Sequence, residues 1–199
     1  MIGGGETALR KTEHLLDHGA DIEVIAPVFA PGFYSLRDER NLAGKAGPAL
    51  ICRKFRKQDV RTEFALVIAA TDEKKVNRMA AQICRRKRIP VNVVDDPEEC
   101  TFLFPSLVKR GRLSVGVSTG GASPTAAIWL RKKIEDMIPE RFGDILDWLA
   151  EIREPVIASF EQESRRKIIF RELFSECLRK GRPLTEEEKD KVLKGEGHE

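Results

Sequence analysis

The chain of 199 residues carries 35 Lys+Arg against 32 Asp+Glu, a formal net charge of +3, with 41% hydrophobic residues. That balance fits one domain with a solid core plus a smaller appendage, and a charge this small gives no ground for nucleic-acid binding. No apolar run approaches the ~20 residues that cross a bilayer, no signal peptide is visible, and four cysteines without Cys-x-x-Cys spacing read as isolated thiols of a cytoplasmic protein. The chain opens Met1-Ile2-Gly3-Gly4-Gly5-Glu6-Thr7-Ala8. Gly3, Gly5 and Ala8 fit Gly-x-Gly-x-x-Ala, the turn of a dinucleotide-binding βαβ unit. There the first glycine allows a tight turn, the second lets the backbone approach a pyrophosphate, and the third small residue lets helix pack on strand. The strand that should feed this turn is reduced to Met1-Ile2. A start set too late, or a sheet lacking a buried strand, is the expectation.

A helix is predicted from Glu6 to His18, stopped by Gly19. Asp21 to Ile25 alternates as a short strand that runs into Pro27. Residues 30–48 read as loop with a short helix around Ser35 to Asn41. Leu50 to Cys52 is another strand. Phe64 to Ala70 is a continuous apolar run, as in a strand buried on both faces of a parallel sheet. Thr71 or Asp72 is expected to cap a helix from Glu73 to Arg88. Val91 to Val94 is the next strand, ending at Asp95-Asp96-Pro97.

After residue 100 the pattern changes. Thr101 to Lys109 and Arg112 to Ser118 read as strands joined by a hairpin. Thr119 to Pro124 is a second glycine-rich turn, with Ser123 as cap and Pro124 at the first helical position. Helices follow at about 124–138, 141–160, 162–180 and 185–193, with Pro139, Pro155 and Gly181-Arg182-Pro183 marking breaks or kinks. The tail from Lys194 is expected to fray.

Three constellations bear on chemistry. The Gly3–Gly5 turn would leave free N–H groups at a helix start, where an anion can sit. No acidic residue closes the second strand, which ends Ile25-Ala26-Pro27, so spacing does not choose NAD over NADP. Asp95 lies at the carboxyl end of a predicted central strand, where ligands of open α/β sheets bind, and a carboxylate there can accept a proton. Of the adjacent Asp95 and Asp96, at most one should face that crevice. Ser118, Thr119, Gly120 and Gly121 offer hydroxyls and backbone N–H groups as a cradle for a carboxylate or phosphate. Lys109, Arg110 and Arg112, with Arg131 to Lys133, are short basic clusters suited to the rim of a polyanionic substrate. His14 and His18 have metal-ligand spacing but no third ligand, which leaves a surface pair on a helix. One Tyr and two Trp make no stacking set for nucleic acid.

Taken in order, the Gly-Gly-Gly turn, Ile68-Ala-Ala-Thr-Asp72, Val91-Asn-Val-Val-Asp95, Phe104-Pro-Ser106 and Ser118-Thr-Gly-Gly-Ala-Ser-Pro124 resemble the precorrin-2 dehydrogenase family, the N-terminal module of sirohaem synthase, some members of which are also sirohydrochlorin ferrochelatases. The resemblance implies an α/β fold: a Rossmann-type doubly wound parallel sheet followed by a small dimerisation region and a helical C-terminal domain. The segments implied are 1–105, with its first strand truncated, 106–140 and 141–199. It implies a cytoplasmic homodimer that neither binds nucleic acid nor enters a membrane, acting on precorrin-2 with NAD, and Fe²⁺ as a further substrate where chelation also occurs. The family's key aspartate falls on Asp95, as general base and at most a transient metal contact; no permanent metal site is implied. Cofactor contacts fall on Gly3, Gly4, Gly5, Glu6, Thr7, Pro27 and Val28, with Ala70, Thr71 and Asp72 lining the same crevice. Substrate contacts are expected from Ser118, Thr119, Gly120, Gly121, Lys109 and Arg112. A dimeric NAD sensor without catalysis is the alternative from another class.

Overall fold

The computed structural model describes residues 1–195. It divides into two compact units, Met1–Phe104 and Pro105–Glu199. The first unit runs α1 (Glu6–Leu16), β1 (Glu23–Ala26), α2 (Gly32–Leu42), β2 (Ala49–Cys52), β3 (Val67–Ala69), α3 (Lys74–Lys87) and β4 (Val91–Val93). β1 pairs in parallel with β2, and β3 with β4. One residue joins the two pairs: Ile2 makes a parallel bridge to Ile25 on one side and to Ala69 on the other. The spatial order is therefore β2, β1, Ile2, β3, β4, the arrangement of a Rossmann-type sheet with its switch point at Ile2.

The ladder around Ile2 is complete for its length. Ile2 N–H donates to Ile68 O at 2.8 Å and Ala70 N–H to Ile2 O at 2.7 Å; on the other edge Ile25 N–H donates to Met1 O and Gly3 N–H to Ile25 O, both at 2.9 Å. A cavity of about 480 Å³ beside Met1 is lined by Leu15, Ile22, Phe55, Phe64 and Ile68 among others. The Met1 amine donates to Glu23 O at 2.7 Å, and burial pushes its pKa down to about 6. β3 and β4 are buried along their whole length, as the apolar runs require. Two clusters cover the sheet's faces and ends: Val67, Ala69, Val91 and Val93 pack with Ala80, Ala81 and Cys84 of α3, while Ala8, Leu9 and Leu16 of α1 pack with Val24, Phe29 and Phe33.

The second unit begins with an antiparallel hairpin, β5 (Ser106–Arg110) and β6 (Leu113–Val117), in the register Val108↔Val115. Gly111 turns it at φ +53°, the first central position of a tight hairpin turn that needs positive φ. Five helices follow: α4 (Pro124–Met137), α5 (Phe142–Glu151), α6 (Arg153–Ser159), α7 (Glu163–Lys180) and α8 (Glu186–Lys194). Ile145, Val156, Ile169, Leu173, Cys177 and Val192 form their core. Glu188 clasps the last turn: its carboxylate accepts two bonds of 2.9 Å from Arg182 and one of 2.8 Å from Thr185 N–H.

Several elements differ from the sequence reading. α2 is a full eleven-residue helix from Gly32, not a short one within a loop. β3 takes only Val67–Ala69 of the apolar run, the stretch paired with β4; Ala65 before it is exposed. The cap of α3 is Glu73, without a side-chain bond; the Thr71 hydroxyl is drawn instead to Asn77. The first hairpin strand starts at Ser106 rather than Thr101, since Thr101 pins β4 by its N–H to Val91 O at 2.8 Å. The helix expected over 141–160 breaks at Ile152, and Pro155 sits in the first turn of α6, where its missing N–H costs nothing. Lys194 closes α8 with Gly195 as cap; the rest of the tail expected to fray lies outside the described residues.

Candidate functional site

The glycine turn sits at the carboxyl end of the parallel strands. Gly3 adopts φ +116°, and a β-carbon there would stand 2.2 Å from Ala70 O. Gly4 is equally constrained, since a β-carbon would meet Val28 O at 2.3 Å. Gly5 differs: it is extended at φ −82°, and nothing lies within 4 Å of where its β-carbon would be. The first two glycines are thus required by the protein's own packing, whereas the third leaves open space at the start of α1. No side chain caps that helix. Its first N–H groups have no intrahelical acceptor and, with the helix dipole, favour an anion. Ala8 is fully buried where helix meets sheet. An open cradle at Gly5 above uncapped N–H groups fits the pyrophosphate of a dinucleotide.

The structure brings the other first-unit candidates to the same end of the sheet. Ala30 N–H donates to Gly4 O at 2.7 Å, which holds the loop of exposed Pro27 and Val28 against the glycine turn. Ala70–Asp72 continues from β3 beside Gly3. Asn77, buried on α3, braces this loop: it accepts from the Thr71 hydroxyl at 2.6 Å and from Thr71 N–H at 3.2 Å, and donates to Thr71 O at 2.8 Å. Sequence reasoning passed over Asn77. A polar residue on the apolar face of a helix was the available signal.

Asp95 follows β4, where Val94 N–H donates to Ala69 O at 2.9 Å. Apart from Arg88 at a helix end, it is the one non-glycine residue with positive φ, +59°, among the described residues. Aspartate tolerates the left-handed region at some cost, and such strain persists where the surroundings fix it. Cys100 supplies that fixing. Its sulfur accepts from Val93 N–H at 3.1 Å, and its thiol has Val93 O at 3.2 Å and Asp96 O at 3.4 Å as acceptors. Asp96 turns toward α3 and pairs with Arg78 at 3.6 Å, while Glu99 pairs with Arg85 at 2.7 Å. Asp95 is exposed and pairs with neither.

The second-unit candidates are engaged locally. Ser118 Oγ accepts from Gly120 N–H at 3.3 Å, and Thr119 Oγ1 accepts from Ser123 N–H at 3.1 Å. Gly120 and Gly121 turn the chain at φ +61° and +86°. Ser123 caps α4 by accepting from Ala126 N–H at 3.1 Å. Arg112 pairs with Asp147 at 2.8 Å, and Lys109 donates to Ser114 Oγ at 3.2 Å. His18 lies in the turn after α1, exposed, with Nδ1 2.7 Å from His14 O, so the two histidines do not share a helix face as their spacing suggested. No group of three or more His, Cys, Asp or Glu among the described residues has the arrangement of a metal site. No helix among them is long and apolar enough to cross a membrane.

The glycine cradle, the order of the parallel sheet and the strand-end loops define a dinucleotide-binding module of the Rossmann type. Residues 1–106 match the family model described as "Putative NAD(P)-binding", and residues 110–137 match "Sirohaem biosynthesis protein central". The chain belongs to this NAD(P)-binding family. It is 39% identical over 177 residues to the siroheme synthase of Methylobacillus flagellatus (87% of this chain, 36% of that protein) and 41% identical over 167 residues to that of Methylococcus capsulatus (84% and 34%). The siroheme synthase of Pseudomonas fluorescens is 34% identical across 100% of this chain and 39% of its own length. The chain thus spans little more than a third of these curated relatives. A solved structure, SirC, precorrin-2 dehydrogenase, has the same fold, with a TM-score of 0.69 at 24% identity over 98% of this chain and 90% of that one.

Proposed function

We propose that this chain oxidises precorrin-2 to sirohydrochlorin with NAD in sirohaem biosynthesis, with Asp95 as the general base. The observation that carries the reading is the state of Asp95: held in the left-handed region by the Cys100 loop, exposed just after β4, and without an ion pair among the described residues where Asp96 has one. The relationship to siroheme synthases supplies the reaction class.

Gly5 and the N–H groups of Glu6 and Thr7 would hold the pyrophosphate, and Pro27–Val28 and Ala70–Asp72 would border the rest of the cofactor. NAD⁺, when bound, supplies the hydride acceptor. Asp95 takes the proton that the macrocycle releases as its ring system gains a double bond, so two hydrogens leave as hydride and proton. Ser118 to Gly121, Lys109 and Arg112 remain substrate contacts in this reading. Lys109 serves more readily than Arg112, which is already paired to Asp147.

Exposed Ile128, Trp129, Leu130 and Met137 on α4 support a homodimer built on the second unit, testable by sedimentation with Trp129→Asp. A cytoplasmic location belongs to the same reading. The test is spectrophotometric. Protein, precorrin-2 and NAD⁺ are expected to yield NADH and the sirohydrochlorin spectrum together; no NADH with an NAD-saturated protein would refute the reading. A second cuvette with sirohydrochlorin and Fe²⁺, without NAD, tests whether Fe²⁺ is also a substrate.

A further inference from the structure

Lys11 lies on the second turn of α1, and no motif marks it. It is half-buried, and its ammonium stands 4.5 Å from the centroid of the Phe104 ring, which itself meets Phe102 edge-on at 5.1 Å. Burial lowers its proton affinity, while Cys100 and Asp95 lie close enough to raise it again and Arg10 opposes them. Arg78 and Arg85 of α3 are already paired, with Asp96 and Glu99. Among the described residues Lys11 has its ring contact but no ion pair.

A partly desolvated ammonium over an aromatic face is attracted to the ring, yet it gains most when an anion completes its shell. The anion is not the cofactor's pyrophosphate. Lys11 is five residues beyond Glu6, about 7.5 Å along the helix axis, past the first turn whose N–H groups attract phosphate. It lies instead near the loop that carries Asp95.

We propose that Lys11 is a substrate-binding residue whose ammonium pairs with a carboxylate of the polyanionic tetrapyrrole. This rests on the function proposed above and adds a binding cation to it. Lys11 carries no proton in the reaction.

The experiment compares wild type, Lys11→Met, Lys11→Gln and Lys11→Arg. Steady-state kinetics with precorrin-2 and NAD⁺ are combined with fluorescence titration by uroporphyrin I, an octacarboxylate that undergoes no oxidation by NAD⁺. Loss of one charge-assisted contact is expected to raise KM for precorrin-2, and the Kd for uroporphyrin, about tenfold to a hundredfold in Lys11→Met. The kcat and the NAD⁺ Kd should stay within about twofold, and Lys11→Arg should recover most of the loss. If Lys11→Met fails to fold, the uroporphyrin titration of Lys11→Gln decides by the same criterion. An unchanged KM and Kd in an active enzyme overturns the assignment, as does a loss confined to NAD⁺ affinity. Wild type that binds uroporphyrin through Lys11 but never oxidises precorrin-2 keeps the cation site and sinks the dehydrogenase reading. Wild type that does neither sinks both.

Discussion

The carbonyl oxygen of Ala70 occupies the place where a side chain on Gly3 would begin, 2.2 Å from the β-carbon position, so the glycine turn and the loop after β3 are built around each other. Gly3→Ala therefore meets both a backbone clash and a φ of +116° that side chains avoid, the second alone costing about 1–3 kcal/mol. Gly5→Ala meets neither obstacle. The expected outcome is a divergence: Gly3→Ala lowers the thermal midpoint and NAD⁺ affinity together, while Gly5→Ala keeps the midpoint and loses NAD⁺ affinity about tenfold or more. Calorimetric titration beside thermal melts checks this. Equal effects on both quantities in the two variants would show that Gly5 is not the cradle.

Asn77 makes its three bonds to one residue, Thr71. Asn77→Ala leaves the Thr71 N–H and carbonyl without these partners and is expected to cost about 1–3 kcal/mol by denaturant unfolding. NAD⁺ affinity should fall with it, because the Ala70–Asp72 loop loses its brace. Thr71→Val, which removes the hydroxyl but keeps both backbone bonds, should cost less.

Each unit holds one carboxylate against acid. Arg53 clamps Asp59 through two bonds of 2.7 and 2.8 Å, and with Arg56 N–H holds its carboxyl below the usual range against the opposing effect of burial. The Arg182 fork, followed by Thr185 N–H and Lys180, holds Glu188 well below the usual range. Both folded values are depressed, so the native state binds fewer protons than the unfolded chain as pH falls. The stabilisation is full above the unfolded values of 3.8 and 4.5 and is lost progressively below them. Thermal midpoints should be level above about pH 5.5 and fall below about pH 4.5. Glu188→Gln and Asp59→Asn should each flatten that acid limb and lower the plateau. Acid limbs that parallel wild type in both variants would remove these carboxylates from the account.

Different parts of the molecule were legible to different degrees. The glycine turn could be read because glycine at a given spacing reports backbone conformation directly, and the parallel strands because burial on both faces leaves short apolar stretches such as Val67 to Ala69, although the apolar run begins at Phe64, where no strand forms and Ala65 is exposed. Ser123-Pro124 announced α4 for a similar local reason. The sequence reading missed what only chain segments distant in sequence create. Ile2 joining two strand pairs depends on Ile25 and Ala69. Lys11 looks like any solvated helix lysine until Phe104 is folded onto it. The length of α2 was hidden by Pro31-Gly32 at one end and Gly44 at the other, which read as loop although they flank a helix.

The central claim is that Asp95, and not its neighbour, accepts the proton. The measurement is NADH formation from precorrin-2 by wild type, Asp95→Asn and Asp96→Asn, each at saturating NAD⁺ with NAD⁺ affinity measured in parallel. The account predicts that Asp95→Asn binds NAD⁺ within about twofold of wild type and loses kcat by about a hundredfold or more, the range of general-base catalysis, while Asp96→Asn keeps kcat within several-fold and loses some stability with its Arg78 pair. Wild-type turnover by Asp95→Asn, or the large loss falling on Asp96→Asn instead, would contradict it.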